Sequence, residues 1–222
     1  MTTSTTIAGR VAQMHAAGAT QPPNEVMAAF AREQAGLAAS GLPDGLAVAG
    51  TVVPDADLLD VDGAPTTLYA ETGDDAAVVV FYRGAWCPYC NIALATYQAQ
   101  LLPGLTERGV RLVAISPQTP DGSLSMAEKN ELTFTVVSDP GNTVAARLGI
   151  LTAPSAEARS AQLELGLDLT TVNADATTTL PMPTVAILDA GHTLRWLDVH
   201  PNYSTRTEPE QILDQLDTLD LG

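Results

Sequence analysis

Two cysteines three positions apart are the residues of this sequence best suited to chemistry. Cys87 and Cys90 are the only cysteines among 222 residues. They follow a short, apolar, β-branched run at 78–82 and stand at the start of a predicted helix. A Cys-x-x-Cys pair placed after a strand and at the mouth of a helix is typical of thiol–disulfide chemistry. The spacing therefore predicts a redox active site.

The helix start predicts different roles for the two thiols. Pro88 suits the first helical position, where its missing N–H costs nothing. Cys87 would then cap the helix, so that free N–H groups and the positive end of the helix dipole face its sulfur and lower its pKa from a free value of about 8.5. Cys90 lies one turn later, on an apolar stripe with Leu94 and Tyr97. We therefore predict that Cys87 is the exposed, more reactive thiol and Cys90 its buried disulfide partner.

Other uses of a cysteine pair are disfavoured. A structural zinc site usually has four Cys or His ligands, and the three histidines, His15, His192 and His200, show no ligand-like spacing. A structural disulfide across so short a loop would remove little entropy from the unfolded chain. We therefore predict no metal, no organic cofactor and no catalytic histidine.

Composition restricts the partners and the location. The net charge of −16 disfavours binding to nucleic acid or to an anionic membrane surface. The sequence contains no run of about 18 apolar residues, so no membrane span is predicted. Residues 1–6 lack the basic and then apolar pattern of a signal peptide, and two cysteines fit a reducing compartment. The sequence thus predicts a cytoplasmic protein.

The chain divides into a helical extension, 1–45, and a main domain, 46–222. In the extension, a helix at 7–17 is followed by the breaker Gln21-Pro22-Pro23. Asn24 then caps a second helix, whose predicted apolar face includes Met27.

The main domain alternates strands with helices. Apolar runs at 76–82, 109–115 and 133–137 are separated by helical patterns, which predicts βαβ units and an α/β fold. Near the C-terminus, runs at 185–189 and 193–199 flank a turn and predict an antiparallel hairpin at a sheet edge.

Four stretches carry a resemblance to a known family. They are 81–91 around the cysteines, 114–120, 134–139 and 203–209. The chain resembles the thioredoxin-like, peroxiredoxin-like proteins of the AhpC/TSA (redoxin) family over about 30–220. The resemblance implies a thioredoxin fold, with a central mixed β-sheet flanked by helices and the redox motif opening the first core helix. It also implies a cis peptide at Met182–Pro183, beside the cysteines.

The resemblance leaves two choices of attacking thiol. Peroxiredoxins carry Pro-x-x-x-Thr-x-x-Cys, in which the last cysteine attacks peroxide; here Arg83 and Cys87 replace the proline and the threonine, and Cys90 holds the peroxidatic place. The arginine that peroxiredoxins supply from a later strand has no counterpart at 182–184. Thioredoxins and glutaredoxins instead attack with the first cysteine, which is Cys87 here.

The resemblance implies a thiol-dependent peroxidase acting on hydrogen peroxide or organic hydroperoxides. A thiolate would become a sulfenic acid, and the partner thiol would condense with it to a Cys87–Cys90 disulfide. A thioredoxin-like, glutaredoxin-like or low-molecular-weight thiol would reduce that disulfide. The alternatives are a protein-disulfide oxidoreductase and a redox-sensing interaction protein, and a homodimer is a further expectation.

Several residues are predicted to support the cysteines. A cation near the sulfur would lower the thiol pKa, a bulky apolar neighbour would shield it, and the backbone beside a cis-proline would guide an incoming chain. The matched stretches supply the remaining candidates for lining the pocket. The predicted supporting residues are Arg83, Trp86, Pro183, Thr184, Ser116, Thr119 and Arg206.

Overall fold

The computed structural model describes residues 6–18, 24–219 and 221, so the predicted breaker at 21–23 lies outside the described residues. The strands are β1 (Asp57–Leu59), β2 (Pro65–Thr67), β3 (Ala77–Phe81), β4 (Arg111–Ser116), β5 (Thr135–Ser138), β6 (Leu151–Thr152), β7 (Leu180–Pro181), β8 (Thr184–Leu188) and β9 (Leu194–Val199). The helices are α1 (Ile7–Gly18), α2 (Glu25–Ser40), α3 (Leu68–Thr72), α4 (Pro88–Thr96), α5 (Leu102–Glu107), α6 (Pro120–Lys129), α7 (Thr143–Leu148), α8 (Ala156–Glu164), α9 (Leu169–Val172) and α10 (Pro209–Thr218), with a π-helical turn at Tyr97–Leu101.

Seven of the strands form one mixed sheet in the order β2-β1-β5-β4-β3-β8-β9. The strands β3, β4 and β5 are parallel, whereas β1 and β8 pair antiparallel on either side of them. Every residue of β3 is buried, which explains its unbroken apolar sequence, since such a strand is covered on both faces. The predicted mixed sheet flanked by helices is confirmed, and β8 and β9 form the predicted edge hairpin.

Alternate residues of β3 enter two separate cores. Val78 and Val80 pack in a cluster with side chains of α1, α4 and α10. Val79 and Phe81 face the other way, into a cluster with side chains of α3 and α7. Both cysteines belong to the first cluster, so the helices on that face of the sheet determine how the redox motif is covered.

The Met182–Pro183 peptide is trans, because none of the described peptide bonds is cis. The prediction of a cis bond is therefore wrong. Met182 N donates to the Ile150 carbonyl (2.8 Å), and the Pro183 carbonyl accepts from His200 N (2.9 Å). These bonds continue the extended backbone from β7 into β8, and trans is the lower-energy isomer of an X–Pro bond.

The helical chain after the cysteines continues through Pro103. The π-helical turn ends α4, and α5 begins at Leu102, which places Pro103 in the first turn of a new helix. A proline is tolerated there because the first N–H groups of a helix have no intrahelical partner.

The N-terminal helices pack on the main domain by different means. Helix α1 lies against α4 and buries Ile7 and Val11, and Glu208 accepts hydrogen bonds from its first N–H groups. Helix α2 lies against α8, and only Ala29 is fully buried. Met27 is 59% exposed, so it does not belong to the predicted apolar face. Among the described residues, no helix has the length and apolar character needed to cross a membrane.

Candidate active site

Local hydrogen bonds hold the redox motif at the start of α4. Cys87 occupies the N-cap position and Pro88 follows in the first turn, as predicted. The Asn91 amide donates to the carbonyls of Ala85 (2.8 Å) and Cys87 (2.9 Å), and Gln118 Oε1 accepts from Ala85 N (2.6 Å). The loop before the helix is therefore held by Asn91 of α4 and by Gln118.

Both thiols are reduced and buried. Cys87 is 1% exposed and Cys90 is 0% exposed, so the prediction of an exposed Cys87 is wrong. Cys87 lies in one core cluster with Ile7 and Val11 of α1. Members of this cluster come from distant parts of the chain, so the helix-start pattern gave no sign of the burial.

Two N–H groups contact the sulfur of Cys90. Arg206 Nη2 lies 3.1 Å away, and the backbone N–H of Arg83 donates to the sulfur from 3.4 Å. Burial raises the pKa of Cys90, but the interaction with Cys87, the charge of Arg206 and the N–H and charge of Arg83 together hold this pKa well below its usual value. These interactions favour the thiolate form of Cys90.

Cys87 has the opposite character. Burial, its hydrogen bond with Cys90 and the negative charge of that sulfur raise the pKa of Cys87 well above its usual value, although the two arginines oppose the shift. No backbone N–H of α4 caps its side chain. The prediction that the helix start makes Cys87 the more acidic thiol is wrong, because burial and the adjacent Cys90 sulfur raise its pKa.

The two arginines are themselves held in place. Arg206 is 9% exposed, and its Nη1 donates to the carbonyls of Tyr203 and Thr205, both at 2.6 Å. Arg83 is 5% exposed; its guanidinium carbon lies 3.9 Å from the ring centre of Tyr203 and 5.1 Å from that of Trp86. Such cation–π stacking stabilises a buried cation, so both charges stay beside the sulfurs.

The other predicted residues form backbone contacts instead. The Thr184 hydroxyl donates to the Met182 carbonyl, and the Pro183 carbonyl accepts from His200 N. Ser116 Oγ accepts from the N–H of Gln118 (3.4 Å), and Thr119 is the N-cap of α6. Thr119 makes no side-chain capping bond, and none of these contacts reaches either sulfur. The residues in this group are Ser116, Thr119, Pro183 and Thr184.

Sequence reasoning missed Tyr203, which contacts both arginines. Its ring stacks on Arg83, and its carbonyl accepts from Arg206. The available signal was its place three residues before Arg206 in the matched stretch 203–209. The sequence also gave no partner for His200. Its Nδ1 lies 2.8 Å from the hydroxyl of Thr205, the residue before Arg206. Among the described residues, no group of three or more His, Cys, Asp or Glu side chains is placed to hold a metal ion.

Gly84 is the position of the motif where only glycine fits. Its φ is +152°, and a Cβ there would meet Trp86 Nε1 and lie 2.9 Å from Gln118 Cδ. We expect Gly84→Ala to lower the free energy of unfolding by about 2 kcal/mol, measured by equilibrium urea unfolding. Gly36→Ala is the matched control: Gly36 lies inside α2 with no atom near the added Cβ, so this variant should be as stable as wild type or slightly more so. Equal urea midpoints for Gly84→Ala and wild type would contradict the expectation.

Comparisons with known proteins identify the family. A search of curated proteins gave no significant match. Among solved structures, the chain is similar to the peroxidoxin BcpB from Mycobacterium tuberculosis (19% identity, TM-score 0.58, covering 78% of this chain and 97% of that one). It is also similar to a peroxiredoxin-like protein from Aquifex aeolicus (14% identity, TM-score 0.61, covering 79% and 89%). These likenesses show that the sheet and its helices form the thioredoxin-like fold of peroxiredoxins. The AhpC/TSA family model matches residues 49–197, so the chain belongs to the AhpC/TSA family.

Proposed function

We propose that the protein is a thiol-dependent peroxidase that reduces hydrogen peroxide or organic hydroperoxides, with Cys90 as the attacking thiol. One observation carries the proposal: the Cys90 sulfur accepts from Arg206 Nη2 and from the Arg83 N–H. These contacts stabilise a thiolate, which is the nucleophilic form of cysteine. Membership of the AhpC/TSA family supports a peroxidase, and the resemblance of 81–91 to peroxiredoxins implies that Cys90 stands at the position of the peroxidatic cysteine.

The first step would oxidise Cys90. Its thiolate attacks the terminal oxygen of the peroxide, so that an S–O bond forms and the O–O bond breaks. The departing oxygen takes up a proton and leaves as water or alcohol, and Cys90 becomes a sulfenic acid. Negative charge moves from sulfur to oxygen during this step, and the two buried guanidinium groups would stabilise it along that path.

Two buried N–H donors near the thiols are free to bind the peroxide. Nε of Arg83 and Nε1 of Trp86 are buried, and neither has a hydrogen-bond partner among the residues that the structure describes. A buried donor without a partner costs free energy, so such groups commonly mark sites that bind a ligand. We assign them to the oxygen atoms of the bound peroxide.

The second step would close the disulfide. The Cys87 sulfur attacks the sulfur of the sulfenic acid, an S–S bond forms, and the hydroxyl leaves as water with the thiol proton. Cys87 and Cys90 lie in one buried cluster and shift each other's pKa, which supports a direct reaction between their sulfurs. A thioredoxin-like, glutaredoxin-like or low-molecular-weight thiol would then reduce the disulfide by thiol–disulfide exchange. No step needs a metal or an organic cofactor.

Peroxide consumption tests the proposal. The full-length reduced protein should consume hydrogen peroxide or cumene hydroperoxide faster than free cysteine at pH 7, and its mass should fall by two hydrogens as the disulfide forms. Dithiothreitol should then sustain turnover. If wild type reacts with both peroxides no faster than free cysteine does, the assignment fails. Reduction of insulin disulfides without peroxide consumption would favour the protein-disulfide oxidoreductase.

The oxidoreductase alternative gains no support from the geometry. It requires Cys87 to attack a disulfide of another protein, and Cys87 is buried with a raised pKa. A redox-sensing role would show itself as a single oxidation that changes the oligomeric state without turnover. The division at residue 45, the cytoplasmic location and the homodimer stay predictions.

A further inference from the structure

The thiol site is closed in this structure. Cys87 is 1% exposed and Cys90 is 0% exposed. Any reagent that reacts with a thiol must bring an atom into contact with its sulfur. Some part of the covering structure must therefore move before either thiol can react.

Two tyrosines at the site are held by the N-terminal helices. The Tyr203 hydroxyl donates to Glu33 Oε2 (2.8 Å). The Tyr89 hydroxyl accepts from Gln34 Nε2 (3.1 Å) and is hydrogen-bonded to His15 Nε2 (2.9 Å). Tyr89 lies between the two cysteines in the chain, and Tyr203 covers Arg83. Two adjacent residues of α2, Glu33 and Gln34, thus hold both aromatic side chains in place.

Helix α2 buries few of its side chains and makes several polar contacts with the rest of the chain. Ala29 is its one fully buried residue among those described. Glu33 Oε1 accepts from Ser155 N (2.8 Å), and Arg32 pairs with Glu157 at an exposed position. Exposed ion pairs contribute little stability, and segments that bury few apolar contacts open at a lower free-energy cost than the core does. The strand β3, by contrast, is buried at every residue.

We propose that α2 is a lid over the thiol site and that the Glu33–Tyr203 hydrogen bond is its latch. When α2 lifts, Tyr203 loses its anchor and Tyr89 loses one of its two partners. The aromatic cover over Arg83 and the cysteines then opens while the central sheet stays folded. The inference concerns access to the sulfurs, so it holds whichever oxidant or disulfide the thiols meet.

Alkylation of the reduced full-length protein by iodoacetamide tests the latch. Tyr203→Phe removes the hydroxyl but keeps the ring over Arg83 and the backbone carbonyl that binds Arg206. Since a hydrogen bond to a charged group is involved, we expect this variant to be alkylated about tenfold faster than wild type, followed by intact mass. Hydrogen exchange should show faster exchange of the α2 amides and unchanged exchange of the β3 amides.

A variant with a broken surface ion pair is the control. Arg108 and Asp217 form an exposed pair that joins α5 and α10, so Arg108→Gln should leave alkylation and α2 exchange as in wild type. The proposal is overturned if Tyr203→Phe changes neither the alkylation rate nor α2 exchange. It is also overturned if α2 and β3 amides speed up together, because the thiols would then become exposed through global unfolding.

Wild type alone provides a second measurement. The rates of alkylation and of amide exchange are measured at increasing urea concentrations below the unfolding transition. If α2 is a lid, the alkylation rate should increase with urea in the same proportion as the exchange rate of the α2 amides. Alkylation that instead follows the slower β3 amides would overturn the proposal without any variant.

Discussion

Cys90→Ser is expected to reduce the rate of peroxide consumption to that of buffer, whereas Cys87→Ser should keep one fast oxidation. Cys90 is the sulfur that Arg206 and the Arg83 N–H stabilise as a thiolate, and serine cannot replace a thiolate as nucleophile. Cys87→Ser removes only the thiol that closes the disulfide. In Cys87→Ser, the sulfenic acid on Cys90 should therefore persist, and dimedone should trap it there.

The two serine variants control for each other, because each removes one sulfur from the same buried pair. Cys87→Ser also removes a hydrogen bond that lowers the pKa of Cys90, so its first oxidation should be somewhat slower than that of wild type. The assignment is wrong if Cys90→Ser retains fast oxidation and Cys87→Ser loses it. That result would make Cys87 the attacking thiol, as in thioredoxins.

Arg206→Gln should slow the oxidation of Cys90 at pH 7 by about tenfold or more. Removing a hydrogen bond to a charged group costs about 1.5–3 kcal/mol, and a pKa shift of one unit corresponds to about 1.4 kcal/mol. The charge of Arg206 lowers the pKa of Cys90, so its loss must raise that pKa and leave less thiolate at neutral pH. A plot of initial oxidation rate against pH should therefore move to higher pH.

The sign of this pH dependence is the decisive part of the measurement. In wild type, the lowered pKa of Cys90 keeps the thiolate populated as the pH falls below about 8.5, where a free thiol becomes protonated. In Arg206→Gln the rate should fall over that range and recover at higher pH. Arg147→Gln is the matched control, because Arg147 donates to the carbonyls of Pro54 and Asp55. An unchanged pH profile in Arg206→Gln would show that this arginine does not stabilise the thiolate.

Many elements of the fold could be read from local sequence. The unbroken apolar run of β3 indicates a strand covered on both faces, and the turn at 190–192 between two apolar runs indicates the β8–β9 hairpin. Pro88 after Cys87 marks the start of α4 for an equally local reason, since proline suits the first turn of a helix. These signals lie within a few residues of the structure they produce.

The chemistry of the thiols depends on contacts between distant parts of the chain. Arg206 lies 116 positions from Cys90, and Glu33 lies 170 positions from Tyr203. Arg206 was a candidate because it lies in a matched stretch, but nothing in the neighbouring sequence indicated its hydrogen bond to the Cys90 sulfur. The helix start favoured Cys87 as the thiolate, and that prediction failed because it omitted burial and the effect of the neighbouring Cys90 sulfur.

The sequence by itself thus determined the α/β order of elements, the helix that begins at the cysteines, and the redox pair. Tertiary structure alone decided which thiol has the lowered pKa, how deeply both thiols are buried, and that Met182–Pro183 is trans. The physical reason is that strand and helix patterns arise from neighbouring residues, whereas a thiol pKa depends on desolvation and on every charge within a few ångströms. Only the folded chain brings Glu33, Tyr203, Arg83, Arg206 and Cys90 within that range.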